Sequence, residues 1–309
     1  MIQVPFKRET FAVEMKPKIS GANLSLEFEN IESSLYKVAA TVPGNISQEL
    51  YDRLVKNYIN NTTDDKELTA VDYLQRAMLH FTVFEHVIFL IAQISNDGIT
   101  TKKNDSETTI FKYQQDELNN KLITTGWFWM NQLIQFLNKN EEVFSEWAES
   151  KEKKAFDELP VNLSDFNKWV GVESTGGEYF MLSAGWIIRE VWLDCVCSRI
   201  EKPEKTDSIS RAVCYEVMGR ACERLAYSCL PEPVRRDIDN EMGKNHKQQA
   251  DKDIRERIAE KFLIKARLYW NIVDLEIKKK EIAGQKKERS SQPVIGQKNI
   301  TEEDKFCLS

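Results

Sequence analysis

The chain has 309 residues, 41% of them hydrophobic and 30% charged, so it can fill one large or two modest cores with no disulfide or metal staple. Its formal net charge of −6 excludes a general attraction to nucleic acid. Only 12 glycines and 8 prolines interrupt it, which points to long helices.

Residues 1–29 are mixed, and the alternation in FAVEM, residues 11–15, predicts a short strand. A helix is expected from Ile31 to Ala40, stopped at Pro43 and Gly44. Asn45 and Gln48 have capping-box spacing for a second helix through Tyr51, Leu54 and Tyr58. Asp64 and Glu67 repeat that signal. Val71, Leu74, Met78, Phe81, Ile88 and Ile91 then follow at helical steps with Glu85 as a polar interruption, predicting a long amphipathic helix.

The stretch ISNDGIT follows, comprising Ile94, Ser95, Asn96, Asp97, Gly98, Ile99 and Thr100. A calcium loop with Gly98 at its sixth position would place Gln93 first and Asn104 twelfth, where an acid and a bidentate glutamate are needed. A β-hairpin around residues 93–102 fits better. Asn, Asp and Gly supply the positive φ of a tight turn, and Ile and Thr suit its flanks. Two short strands alone are marginal in water, so the stretch is either a plain connector or a projecting contact hairpin.

Ser106 can cap a further helix carrying Phe111, Leu118, Leu122, Leu133 and Leu137, bent near Gly126. A shorter helix carries Phe144 and Trp147. The proline-containing KAFDELPVNLSDF, residues 154–166, is expected to be a linker between an N-terminal helical unit, 1–160, and a C-terminal one, 161–284. The second unit should hold three helices. The first runs from Tyr179 to Ile200, stopped by Pro203, and the second from Ser208 to Leu230, stopped by Pro231. The third spans Asn245 to Ile282, with Ile254, Ile258, Phe262, Tyr269, Val273 and Ile277 on one stripe. From residue 285 apolar residues thin out, and 285–309 is expected to be a flexible tail. FWMNQLIQFLN in the first unit and LYWNIVDLEIK in the second echo each other, either as duplication or as shared architecture.

Candidate catalytic residues are scarce. His80, His86 and His246 lack metal-ligand spacing. Gly176 and Gly177 precede a helix without the lysine and hydroxyl of a phosphate loop, so Ser174 or Thr175 is expected to cap that helix. Cys195, Cys197, Cys214, Cys222 and Cys229 fall in apolar helical patterns and are expected to be buried, reduced thiols. Cys307 is third from the end, not at the fourth place a prenylation box needs. The opening lacks the apolar core of a signal peptide, and no apolar run reaches the roughly 18–20 residues that span a bilayer. The basic run at Lys278–Lys280, Lys286, Lys287 and Arg289 reads as a solvated helix end or a phosphate-contacting tail. Trp127 and Trp129 point about 200° apart on a helix, so one of them is expected to meet another surface.

Several stretches together resemble a family of neck, or head–tail connector, proteins of tailed phages of Bacteroidetes, including crAss-like phages. In the first unit these are LEFENIESSLYKVAATV, FTVFEHVIFLIAQISNDGITT, YQQDELNNKLITTGWFWMNQLIQFLNKN and FSEWAES. In the second it is DFNKWVGVESTGGEYFMLSAGWIIREVWLDCV. The resemblance covers about residues 22–230, and departs from the expected pattern at the glycines of VESTGGEYF. It implies a mainly α protein of two helical-bundle units with a projecting hairpin, acting as a structural virion subunit rather than an enzyme. Its copies, twelve as a rule in such rings, would dock under the portal beside other neck or tail proteins and continue the DNA channel. DNA would pass without sequence-specific contact. The protein would reside in the virion neck, and in the host cytoplasm during assembly, with no cofactor, metal or membrane. The alternative is a host-type helical protein–protein interaction module whose tryptophans line a peptide groove.

Overall fold

Apolar residues at helical spacing decide most of the chain, and the fold is mainly helical. The structure is a computed structural model describing residues 3–19, 27–61, 64–95, 98–101, 112–172, 177–244 and 250–291. Within these, side chains are described except at 88–95, 98–101, 112–116, 242–244, 250–251 and 284–291.

The expected strand at residues 11–15 is a helix, α1 (Phe11–Met15). Phe11 and Met15 are four residues apart, so alternation and one helical turn give the same pattern. Both are buried while Val13 faces solvent, and Phe11 packs edge-on against Phe6 and Phe28. Helix α2 (Phe28–Thr41) buries Phe28, Ile31, Leu35 and Val38. A 3-10 turn, Val42–Asn45, leads to α3 (Gln48–Ile59). Its cap is Ser47 rather than Asn45: the Ser47 hydroxyl accepts the Leu50 N–H at 3.3 Å, with φ of 87°. The Asn45 side chain donates instead to the Val42 carbonyl.

Helix α4 (Asp65–Ile91) begins where Asp64 accepts the Glu67 N–H at 2.8 Å. Strands β1 (Ala92–Ser95) and β2 (Gly98–Thr101) follow, and α5 (Lys112–Lys139) returns along α4. At the contact, Gly126 lies so close to Phe81 that a Cβ there would sit 2.5 Å from the ring. Helix α6 (Ser145–Ala148) closes the first core, which runs from Val4 to Trp147 in sequence, and Phe156 of α7 (Lys151–Asp157) packs against a second core.

The expected linker is a junction between helices, because α8 (Leu163–Trp169) starts within it at a reciprocal box of Asn162 and Asp165. Helix α9 (Gly177–Val191) gives way to a π turn at Trp192–Cys197, before the expected end at Ile200. Helix α10 (Asp207–Arg224) is capped by Thr206 and ends before Leu230, where a 3-10 turn, Tyr227–Cys229, intervenes. Helix α11 (Glu232–Lys244), begun by Pro233 in its first turn, was not anticipated. Helix α12 (Ala250–Ser291) outruns the expected end at Ile282, so residues 285–291 belong to a helix rather than to a tail. The remainder, 292–309, lies outside the described residues.

The second core, from Val161 to Val273 in sequence, is built on the long contact of α10 with α12. Gly219 permits that approach: a Cβ would lie 2.6 Å from Leu263 and 3.3 Å from the Ala259 carbonyl. Packing contacts link α7 with α9, α9 with α10, and α10 with α12 in turn.

Candidate interaction surfaces

The ISNDGIT stretch follows α4 in sequence. Its strands pair antiparallel, with Ile94 opposite Ile99, Ser95 opposite Gly98 and Gln93 opposite Thr100. They form a two-stranded sheet. Asn96, Asp97 and Asn104 lie outside the described residues, as do the side chains of Ile94, Ser95, Ile99 and Thr100.

The two cores meet where α5 touches α9. Asn131 of α5 is fully buried, and its Oδ1 accepts the N–H of Glu178 at 3.0 Å and of Tyr179 at 3.3 Å. These are among the first amides of α9, which lack intrahelical partners. One unit thus supplies the cap of a helix in the other. Ser174 and Thr175, expected to cap α9, lie outside the described residues. Beside Asn131, Gln135 donates to the Glu178 carboxylate at 3.1 Å. Burial raises the Glu178 pKa above its ordinary value, against the lowering effect of Gln135, Asn131 and Lys139.

The tryptophan expectation is met from inside the chain. Trp127 stacks on Tyr179 across the junction, centroids 3.3 Å apart at 12°, while also touching Phe81. Trp129 turns to its own unit, stacking on Tyr73 and lying under the Arg76 guanidinium. Next to Trp127 an open cleft of about 750 Å³ separates α5 from the 3-10 turn and α11. Its charges alternate in sign: Glu117 and Lys121 on one wall, Arg235, Arg236 and Asp239 on the other. Tyr227 donates to Asp239 at 2.6 Å.

His80 is buried, and its Nδ1 donates to the Arg76 carbonyl at 2.7 Å. Burial lowers its pKa below the ordinary histidine value. His86 is half-buried and lies six residues along α4, and His246 lies outside the described residues. Among the described residues no group of three or more His, Cys, Asp or Glu could hold a metal ion.

The cysteine expectation needs correction. Cys214 and Cys222 are buried, with burial pushing the Cys222 thiol up to about 12 and Cys214 higher still. Cys197 is exposed and Cys195 half-buried on the π turn Trp192–Cys197, where Val196 between them points into the core. Cys229 is half-buried beside the Tyr179 hydroxyl at 3.2 Å.

Some of the carboxylates tie helices together through ion pairs. Arg53 joins Glu67, Glu146 and the Val143 carbonyl, tying α3 to α4 and α6. Arg220 joins Glu190 and Glu216, tying α10 to α9.

Two apolar surfaces stay uncovered by the described residues. On α12, Ile264, Leu268, Ile272, Leu275 and Ile282 are between 39% and 57% exposed. On α9, Trp186 is 49% exposed and flanks a groove of about 350 Å³ lined by Phe156, Leu159, Met181 and Leu182. Sequence reading assigned α12 one apolar stripe. The second was legible in the same spacing but was not separated from the first.

Residues 42–157 match a family of unknown function, DUF6712. This span runs from the turn after α2 to the end of α7 and includes the paired strands. No curated protein and no solved structure matches the chain. Among the described residues no helix is long and apolar enough to cross a membrane.

Proposed function

We propose that the chain is a structural subunit of a head–tail connector ring in a tailed phage, joining the portal to the tail and continuing the DNA channel. The observation that carries the reading is the strand pair β1–β2 at the ends of the long helices α4 and α5. Two strands of four residues leave ladder groups unpaired on both edges, and such edges favour pairing with another chain. In this reading the hairpin at Ile94–Thr100 projects and touches the portal or a neighbouring copy. The helical units supply rigid spacing, and a head-to-tail contact repeats until the ring closes, twelve copies being the resemblance's expectation. The net charge of −6 suits a conduit through which DNA passes without being held. The subunit has no catalytic task, sits in the virion neck, and waits in the host cytoplasm during assembly.

Co-expression with a portal protein from the same genome tests the reading. A ring that copurifies with the portal and shows cyclic symmetry by electron microscopy is the expected result. A monomer that ignores portal and tail proteins and binds a host peptide in the cleft beside Trp127 would favour the interaction-module alternative. An activity that copurifies and disappears on a single substitution would overturn both.

A further inference from the structure

We propose that the C-terminal end of α12, from Lys278 onward, contacts the phosphate backbone of double-stranded DNA without reading its sequence. The proposal rests on the conduit reading for the presence of DNA, and names the part of the chain that meets it.

Three observations carry it. First, the charge is concentrated and sorted by side. Residues 278–291 carry six Lys and Arg against two Glu, on a chain whose net charge is −6. Helix α12 runs through Ser291. At about 100° per residue, Lys279 and Lys286 fall on one line along it, Lys280 and Lys287 on a second, and Lys278 and Arg289 on a third. The three lines share an arc of about 200°. Glu281 and Glu288 lie together on the opposite side, in line with the buried Trp270.

Second, the basic end stands past the body. Among the described residues Ile277 is the last of α12 to pack against the second core, so the helix runs about 20 Å beyond it. The Debye length at physiological salt is about 8 Å, so the acidic body is screened from most of this end. Lys278, Lys279 and Lys280 are exposed, with no ion pair among the described residues. The carboxylates one turn before them are engaged: Asp274 by Arg199 at 3.2 Å and Glu276 by Ser208 at 2.7 Å. Lys280 alone of the three borders a hollow with acidic residues, Glu201, Glu204, Glu276 and Glu281. A helix dipole favours cations in its last turn, whereas these lysines lie about three turns earlier.

Third, the composition selects the partner. Five of the six cations are lysines, which meet phosphate as point charges rather than reading a planar group. Residues 278–291 hold no aromatic residue on which unpaired bases could stack. Ile282 is their one large apolar residue, too little for a helix that lies in a lipid surface. Duplex DNA offers one negative charge per about 1.7 Å of its axis, and contacts of this kind let it slide, as a conduit requires.

The full chain, without portal, is titrated into labelled duplexes of two unrelated sequences, with salt varied from about 50 to about 200 mM. Wild type is expected to bind both equally and to weaken steeply with salt. K278Q/K279Q/K286Q should weaken binding about tenfold or more to both duplexes. The slope of log affinity against log salt should fall by about one for each phosphate-contacting lysine removed. Glutamine has nearly the helix propensity of lysine, so helix content should hold, and K280Q/K287Q/R289Q supplies a second variant of the same end. K151Q/K154Q/K261Q changes the net charge equally at exposed positions elsewhere and should bind as wild type. Wild type that binds neither duplex at the lowest salt would overturn the proposal. So would basic-end variants that bind as wild type, or a control that weakens as much as they do. Binding to phosphatidylserine vesicles but not to duplex would assign the helix to a lipid surface instead. None of these measurements includes portal, so the ring reading stands or falls separately.

Discussion

Removing the Asn131 cap should loosen the junction between the two units more than any exposed substitution. Asn131→Ala removes the oxygen that accepts the N–H of Glu178 and Tyr179 without adding bulk at this buried position. Loss of a capping side chain costs about 0.5–2 kcal/mol, and a buried N–H left without a partner about 1–3 kcal/mol. Asn131 is fully buried and Glu178 nearly so, so water cannot readily replace the lost acceptor. Together these effects amount to about 2–4 kcal/mol, a large share of the 5–15 kcal/mol typical of folded proteins. For a chain of this length a urea slope of about 3 kcal/mol/M turns that loss into a midpoint lowered by about 1 M. Hydrogen exchange adds a local readout: the Glu178 and Tyr179 amides should lose protection while the middle of α9 keeps it. A midpoint lowered by less than about 0.2 M, with both amides still protected, would refute the inter-unit cap.

Glu178 gives a pH test. Its folded pKa is raised, so its neutral form favours the fold and that stabilisation is complete below the ordinary carboxylate pKa. It is lost as pH rises through the raised value, and Glu178→Gln should therefore stabilise at neutral pH, change little in acid, and flatten the pH profile of unfolding between. Arg53→Met takes the guanidinium away from the buried Glu67 carboxylate, which Asn57 also donates to, and should cost about 3–5 kcal/mol in chemical denaturation. Thiol labelling of the native protein at mildly alkaline pH, mapped by mass, should, among the described cysteines, modify Cys197 first and reach Cys214 and Cys222 only on unfolding. Replacing Asn96, Asp97 and Gly98 with a flexible linker should leave helix content and the unfolding midpoint nearly unchanged while ring formation with the portal falls sharply; calcium should alter neither.

The sequence alone determined the helices whose apolar spacing has one reading. The pattern from Val71 to Phe81 marks α4, and that from Ile254 to Val273 marks the buried face of α12. It also placed the Asp64 cap, because that bond links residues three apart and needs no distant partner. Tertiary structure decided whatever depends on a residue from elsewhere. FAVEM satisfies both strand and helix periods, and the aromatic contacts of Phe11 with Phe6 and Phe28 choose the helix. The cap oxygen for Glu178 and Tyr179 lies 47 and 48 residues away in sequence, on a helix whose own periodicity gives no hint of it. Trp127 and Trp129 diverge by local geometry, but only the approach of α9 makes Tyr179 the partner of one and leaves the other to Tyr73. Local spacing fixes a side chain's direction, whereas its partner is set by helices that the chain brings together from far apart.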